Sequence, residues 1–91
     1  MRVRVFATLR PIVGGATVTT SVQAGQRVRD LIDEMVERWP DLRRELLDDE
    51  GRLLSRVHVM INGRGVEFMD GLETVIPPNA NITIFPPVGG G

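Results

Sequence analysis

Residues 28–39 read VRDLIDEMVERW, and this stretch decides the fold. Its apolar side chains recur every three or four residues, which places them along one face of an α-helix. The members of this face are Val28, Leu31, Ile32, Met35, Val36 and Trp39. Pro40 disfavours helical geometry at the preceding residue, so we expect the helix to end at Trp39, with Trp39 in the core. A helix that buries one face needs a second layer to pack against.

Stretches with the period of a β-strand lie on both sides of this helix. Residues 1–9 alternate strictly, as do residues 57–61, which predicts half-buried strands. In the first strand, one face carries Val3, Val5, Ala7 and Leu9. Residues 17–22 and 82–85 are short β-prone runs, and the second is stopped by prolines that cannot donate to a ladder.

The remaining segments are less regular. Leu42, Leu46 and Leu47 predict a short second helix, and weak patterning over residues 64–76 suggests one or two edge strands around Val66 and Val75. Strands followed by a helix and further strands form a two-layer α+β domain. The most economical architecture is a ubiquitin-like β-grasp: a mixed four- to five-stranded sheet with one long and one short helix on one face. Its first and last strands would pair in parallel at the centre.

Composition narrows the possible functions. The chain has 91 residues and a formal net charge of −1, whereas a nucleic-acid-binding domain of this size is usually basic. It contains no cysteine, which excludes disulfides and thiol chemistry on the chain itself. No apolar run approaches the roughly 18 residues of a membrane span, and Met1 leads straight into a strand pattern. We therefore expect a cytoplasmic protein that binds neither nucleic acid nor a membrane.

Two further observations concern titratable and basic residues. His58 is the only histidine, and no second ligand stands at metal-binding spacing, so we expect an exposed strand residue and no metal. The acidic run 48–50 lacks the alternating ligands of a calcium loop and is expected to be a solvated turn. All eleven basic residues are arginine, so the chain offers no lysine ε-amine. No nucleophile–base pair is evident, which favours a protein without catalytic activity of its own.

The sequence ends FPPVGGG over residues 85–91. Glycine has no Cβ, so a glycine end is slim and fits a narrow active site, whereas the prolines hold the chain extended. We therefore predict a globular domain over residues 1–86 and a flexible tail over 87–91 that presents the α-carboxylate of Gly91. A carboxylate reacts only after activation, for example as an acyl-adenylate. A chain without lysine has no phosphate-binding loop, so ATP would be bound by a partner and no cofactor by this chain.

Three stretches carry a resemblance to a known family. They are VRVFATLR at 3–10 with Gly14-Gly15 after it, VMING at 59–63 and FPPVGGG at 85–91. On these residues, nearly the whole chain resembles the MoaD/ThiS group of ubiquitin-like sulfur carriers, and the ending is the specific part. Gly90 and Gly91 match the family's terminal diglycine. Gly89 stands where alanine or serine is usual.

The resemblance implies a carrier, not an enzyme. A ubiquitin-activating-type enzyme would adenylate Gly91, a sulfur donor would convert it to a thiocarboxylate, and a downstream acceptor enzyme would take the sulfur. Residues 9–15 and 51–54 look like carriers of cysteine biosynthesis, with a cysteine synthase-like acceptor. The ending 86–88 looks equally like the small subunit of molybdopterin synthase, a two-subunit sulfurtransferase whose large subunit would be the partner. A protein modifier and an inert β-grasp interaction module remain alternatives.

Alternation also predicts a partner-binding surface. Phe6, Met60 and Phe85 point away from the helix if their strands are neighbours, and Arg4 lies on the same side. Apolar clusters with a polar rim commonly mark interaction sites. We expect this face to dock the activating enzyme and the sulfur acceptor, leaving the tail free.

Overall fold

The computed structural model describes residues 1–87 and contains a five-stranded sheet with three α-helices. In chain order the elements are β1 (Arg2–Val5), α1 (Leu9–Val13), β2 (Thr17–Thr19), α2 (Val28–Arg38), α3 (Leu42–Leu46), β3 (His58–Ile61), β4 (Arg64–Gly65) and β5 (Ile82–Phe85). Two 3₁₀ turns, Val66–Phe68 and Gly71–Glu73, connect β4 to the last segment. The predicted tail residues 88–91 lie outside the described residues, so the predicted domain boundary stays a prediction.

The strand order across the sheet is β2-β1-β5-β3-β4. β5 pairs in parallel with β1, with Val3 opposite Ile82, and antiparallel with β3, with Val59 opposite Ile84. β2 and β4 are antiparallel edge strands. This mixed sheet is the ubiquitin-like β-grasp that the sequence predicts, and its first and last strands do pair in parallel at the centre.

The apolar side chains of the strands and of α2 pack together in one hydrophobic core. The buried side chains of the inner sheet face are Val3, Val5, Val18, Val59, Ile61, Ile82 and Ile84. α2 contributes Val28, Leu31, Ile32 and Met35 to the same cluster. The backbone amide of Arg27 donates to the Asp30 carboxylate at 2.8 Å, which satisfies a free donor at the start of α2. α2 therefore covers one face of the sheet and leaves the opposite face without a helix.

The first strand is shorter than its alternation predicts. β1 ends at Val5, and Ala7 has φ of 52°, a left-handed conformation that no strand accommodates. Leu9 then begins α1, in which Pro11 is tolerated because first-turn amides need no helical acceptor. The prediction of a strand over residues 1–9 was wrong beyond Val5, and Ala7 is exposed. Leu9 is nevertheless fully buried, because α1 returns it to the core.

Other boundaries also differ from the expectation. β2 covers only residues 17–19, and α2 ends at Arg38, one residue before the predicted end. Trp39 is half-buried against the core, with the Arg38 guanidinium carbon 4.3 Å from its ring centroid. Val66 opens a 3₁₀ turn instead of a strand, and Val75 forms only an isolated bridge with Arg27. The predicted short helix is present as α3.

The helices within residues 1–87 are all too short or too polar to cross a membrane.

A carboxylate links α2 to the chain that follows β2. Glu34 accepts hydrogen bonds from the Ser21 hydroxyl at 2.6 Å and from the Ser21 amide at 3.0 Å. Arg38 lies 3.6 Å from the same carboxylate and donates to the Thr19 carbonyl at 2.7 Å. The Ser21 hydroxyl, followed by the Ser21 amide and Arg38, holds the pKa of the Glu34 carboxyl below its usual value.

We predict that Glu34→Gln destabilises the protein at neutral pH by about 1 kcal/mol, because a neutral amide accepts weaker hydrogen bonds. A carboxyl whose pKa is lowered by folding adds stability above its unfolded pKa, and this stability is lost as the pH falls through the folded pKa. The difference between the variant and the wild type should therefore shrink as the pH falls below about 4.3, the ordinary pKa of a glutamate. Urea unfolding at neutral and at acidic pH measures it.

Glu37→Gln is the matched control, since Glu37 lies on the exposed side of the same helix and makes no ion pair within residues 1–87. It should change stability little at either pH. A Glu34→Gln effect that does not depend on pH would contradict the assignment.

Candidate functional site

The predicted site has two parts, and the structure describes one of them. Gly89, Gly90 and Gly91 lie outside the described residues. Pro86 is buried and Pro87 half-buried, so the described chain stays packed on the domain for at least one residue beyond the central strand β5. The geometry that follows concerns the surface beside residues 85–87.

An aromatic pair forms at the carboxyl end of β5. The rings of Phe6 and Phe85 stack with centroids 4.6 Å apart and planes 14° from parallel; we call this pair the aromatic stack. Both side chains are half-buried. Offset stacking contributes about 0.5–1.5 kcal/mol beyond the area buried. β1 and β5 are parallel neighbours with Val5 opposite Ile84, so the residues that follow these two, Phe6 and Phe85, lie beside each other and the two rings meet.

Arginines surround the stack. The Arg10 guanidinium carbon lies 4.7 Å from the Phe6 ring centroid, and that of Arg4 lies 5.6 Å from it. Arg10 Nε also donates to the Val5 carbonyl at 2.9 Å, which fixes the guanidinium over the ring. Arg10 was not among the predicted site residues, because the alternating pattern hid the turn and helix that fold it back. The signal that could have found it is Pro11 with Gly14, which together indicate a short helix instead of a strand.

Met60 shares the face but not the stack. We call the sheet face opposite α2 the outer face; its strand positions are Arg2, Arg4, Thr17, Thr19, His58, Met60, Gly65, Thr83 and Phe85. Arg4 and Met60 both pair with Thr83, from opposite sides, so two strand spacings of about 4.8 Å separate them. The structure thus places all four predicted partner-binding residues on one side of the sheet, with Phe6 and Phe85 in contact. Their role stays a prediction.

A histidine–carboxylate pair lies beside Phe85 on this face. His58 is opposite Phe85 across the strands, and its Nδ1 is 3.1 Å from Glu67 Oε2. His58 is half exposed, as the sequence predicts, but this partner nine residues away was not predicted. The backbone amide of Glu67 itself, and then the His58 ring, hold the pKa of the Glu67 carboxyl below its ordinary value. Gly65 leaves room for that carboxylate, which a Cβ at this position would meet.

No group of three or more histidine, aspartate or glutamate residues within residues 1–87 is placed to hold a metal ion. In the acidic run 48–50, Asp48 Oδ1 accepts hydrogen bonds from the amides of Glu50 and Arg52 at 2.8 and 3.0 Å. The Arg52 amide, then that of Glu50, lowers the pKa of the Asp48 carboxyl. The Asp48 carboxylate therefore stabilises the turn formed by residues 48–52.

The chain is similar to proteins of one family. The sequence profile of the ThiS family matches residues 3–91. Small archaeal modifier protein 3 of Haloferax volcanii is 32% identical over 91 residues, which span 100% of this chain and 98% of that protein. The crystal structure of SAMP1 from Haloferax volcanii has a TM-score of 0.82 at 29% identity, covering 99% of this chain and 97% of the other. In the crystal structure of the BexX/CysO complex of Amycolatopsis orientalis, the matching chain has a TM-score of 0.80 at 30% identity, with 99% and 98% covered.

We predict that Glu67 titrates below the ordinary range for a glutamate and that His58→Ala raises its pKa part of the way back. The recovery should be partial because the Glu67 amide remains. Carboxyl-carbon NMR across a pH titration measures both values. Asp48 serves as the internal control, since its own turn lowers its pKa and His58→Ala should leave it unchanged. An unchanged Glu67 in the variant would show that the pair does not form.

Proposed function

The chain belongs to the ThiS family of ubiquitin-like carrier and modifier proteins, and we propose that it carries sulfur on the carboxylate of Gly91. The observation that supports this most directly is the sequence PPVGGG after a central strand whose last residue, Phe85, is held in the aromatic stack. A rigid body up to Pro87 followed by a slim end suits insertion into a narrow active site.

The chemistry consists of two steps on the terminal carbonyl. Gly91 carboxylate attacks the α-phosphorus of ATP on an adenylating partner, which gives the acyl-adenylate and releases pyrophosphate. A hydrosulfide equivalent then attacks the acyl carbon and expels AMP, leaving a thiocarboxylate and one proton. Nothing in residues 1–87 needs to supply acid or base, because the leaving group is already a good one.

We propose cysteine biosynthesis as the pathway that receives the sulfur. There, the thiocarboxylate sulfur would bond to the β-carbon of an activated serine as its leaving group departs. Hydrolysis of the link to Gly91 would then release cysteine and restore the carboxylate. Residues 9–15 and 51–54 support this branch by their resemblance. The 30% identity to a chain of the BexX/CysO complex over 99% of this chain supports the broader proposal, a carrier that works in complex with a partner protein.

A second candidate function rests on the 32% identity to small archaeal modifier protein 3 over the whole chain. In a modifier, a lysine amine in place of hydrosulfide attacks the acyl-adenylate, forming an amide and releasing AMP and a proton. This chain contains no lysine, so the acceptor ε-amine would have to belong to another protein.

We predict that incubation with ATP, hydrosulfide and the cognate adenylating enzyme raises the intact mass by the difference between one sulfur and one oxygen atom. Deleting Gly91 should reduce the rate about 100-fold, because the new terminal carbonyl is displaced from the reacting phosphorus. Gly89→Ala should react normally, because only the last carbonyl is activated. Protein-sized adducts with other proteins, and no thiocarboxylate, would favour the modifier. Deleting Gly91 leaves Gly89-Gly90 at the end, so the decisive variant lacks all three glycines; if it were as active as the wild type, the carrier function would be refuted.

We also predict that Phe6→Asp folds but raises the KM for this chain in adenylation about 10-fold or more, since buried aromatic anchors dominate interfaces. Phe68→Asp is the matched control, because Phe68 is 72% exposed and lies outside the stack. ATP–pyrophosphate exchange measures KM, and circular dichroism checks the fold. Equal KM values for the two variants would exclude the aromatic stack from docking.

A further inference from the structure

A second feature of the outer face lies at the end away from the aromatic stack. An open hollow of about 630 Å³, which we call the basic hollow, is lined by Met1, Arg2, Arg4, Thr17, Asn79, Ala80 and Asn81. It lies where β1 and β5 begin, whereas the aromatic stack lies where they end. None of its lining residues is acidic, although the whole chain carries a net charge of −1.

The arginines of the basic hollow have no carboxylate partner within the part of the chain that the structure describes. Among residues 1–87, acidic groups pair with Arg27, Arg29, Arg38, Arg52 and His58, and with neither Arg2 nor Arg4. Both guanidinium groups are exposed on adjacent outward positions of β1. Two guanidinium forks on one side of a strand are suited to bind anionic oxygens, since each presents paired donors.

Asn62 holds in place the segment that contributes Asn79 and Asn81 to the basic hollow. The Asn62 amide donates to the Asn81 carbonyl, and the Asn81 amide donates to Asn62 Oδ1, both at 2.9 Å. Asn79 adopts φ of 57° in the same loop. The carboxamides of Asn79 and Asn81 therefore project from a backbone that is already ordered, which lowers the entropy lost when a ligand binds.

We propose that the basic hollow binds carboxylate side chains of the adenylating partner, so that this partner covers the outer face from the hollow to the aromatic stack. The proposal rests on the proposed function, since it names the chemistry of that partner's surface. Arg4 makes the two parts continuous, because it lines the hollow and lies 5.6 Å from the Phe6 ring. A strand of four residues separates the two ends by about 13 Å, a span that a protein covers and a single small anion does not.

The exposure of the basic hollow also favours a protein partner over a small phosphate compound. A small-ligand pocket usually encloses about 70–90% of its ligand, whereas Arg2, Arg4, Asn79 and Asn81 are all exposed. Arginine and aromatic side chains together are typical of protein interfaces. The charge of the hollow would accelerate encounter with an acidic surface and fix the orientation of the body while the tail enters the active site.

The test compares two charge reversals that alter the net charge equally. We expect Arg2→Glu/Arg4→Glu to raise the KM in ATP–pyrophosphate exchange about 10-fold at low salt, with kcat little changed. The difference should shrink as salt is added, because exposed charges are screened. Arg43→Glu/Arg44→Glu on α3 is the control and should have the KM of the wild type. Equal KM values for the two double variants would overturn the proposal.

A titration with hexaglutamate peptide tests the basic hollow without the enzyme. Amide NMR shifts should concentrate at Arg2, Arg4, Asn79 and Asn81 and disappear in Arg2→Glu/Arg4→Glu. Equal shifts with inorganic phosphate at the same concentration would identify a phosphate site, and no shifts would indicate no anion site; either result overturns the proposal. A wild-type chain that is never adenylated would instead refute the proposed function. The peptide titration would then still test whether the basic hollow binds carboxylates.

Discussion

Strand β5 pairs with a neighbour on each of its edges, and the rest of the molecule depends on this pairing. β1 lies parallel on one side and β3 antiparallel on the other, so the backbone of residues 82–85 is fixed from both directions. Its own inward side chains, Ile82 and Ile84, are fully buried in the core. The described chain ends within two residues of this doubly paired strand. The parallel pairing also places Phe85 beside Phe6, which forms the aromatic stack at the carboxyl end of β5.

The outer face combines apolar and charged features in a definite order. The aromatic stack and the histidine–carboxylate pair lie around the carboxyl end of β5, and two arginines without an acidic partner in residues 1–87 lie around its beginning. Among the described residues, α2 covers the inner face of the sheet. The proposed function thus divides the sheet by side: one face stabilises the domain, and the other is proposed to bind the partner.

Periodicity predicted the parts of the fold in which burial decides conformation. The apolar stripe of α2 and the alternation around Val59 specify their elements, because a shifted pattern would expose the core. The end of β1 was not predictable in this way, since a strand and a left-handed turn at Ala7 both leave Leu9 buried. The placement of Phe6 and Phe85 on one side of the sheet followed from alternation and parallel pairing, but their stacking was not predicted. The contacts of Arg10, Glu67 and Asn62 were not predicted either, because they depend on backbone turns that carry no hydrophobic signal.

The order of the strands has a consequence for how the protein is made. Without β5, the sheet separates into two unconnected hairpins, β2–β1 and β3–β4, because β5 alone joins them. A chain still emerging from the ribosome therefore lacks the joined sheet until residues 82–85 have been synthesised, and pairing between residues so distant in sequence slows folding. A product that stops before residue 82 would lack the strand that joins the two hairpins and would be open to proteolysis.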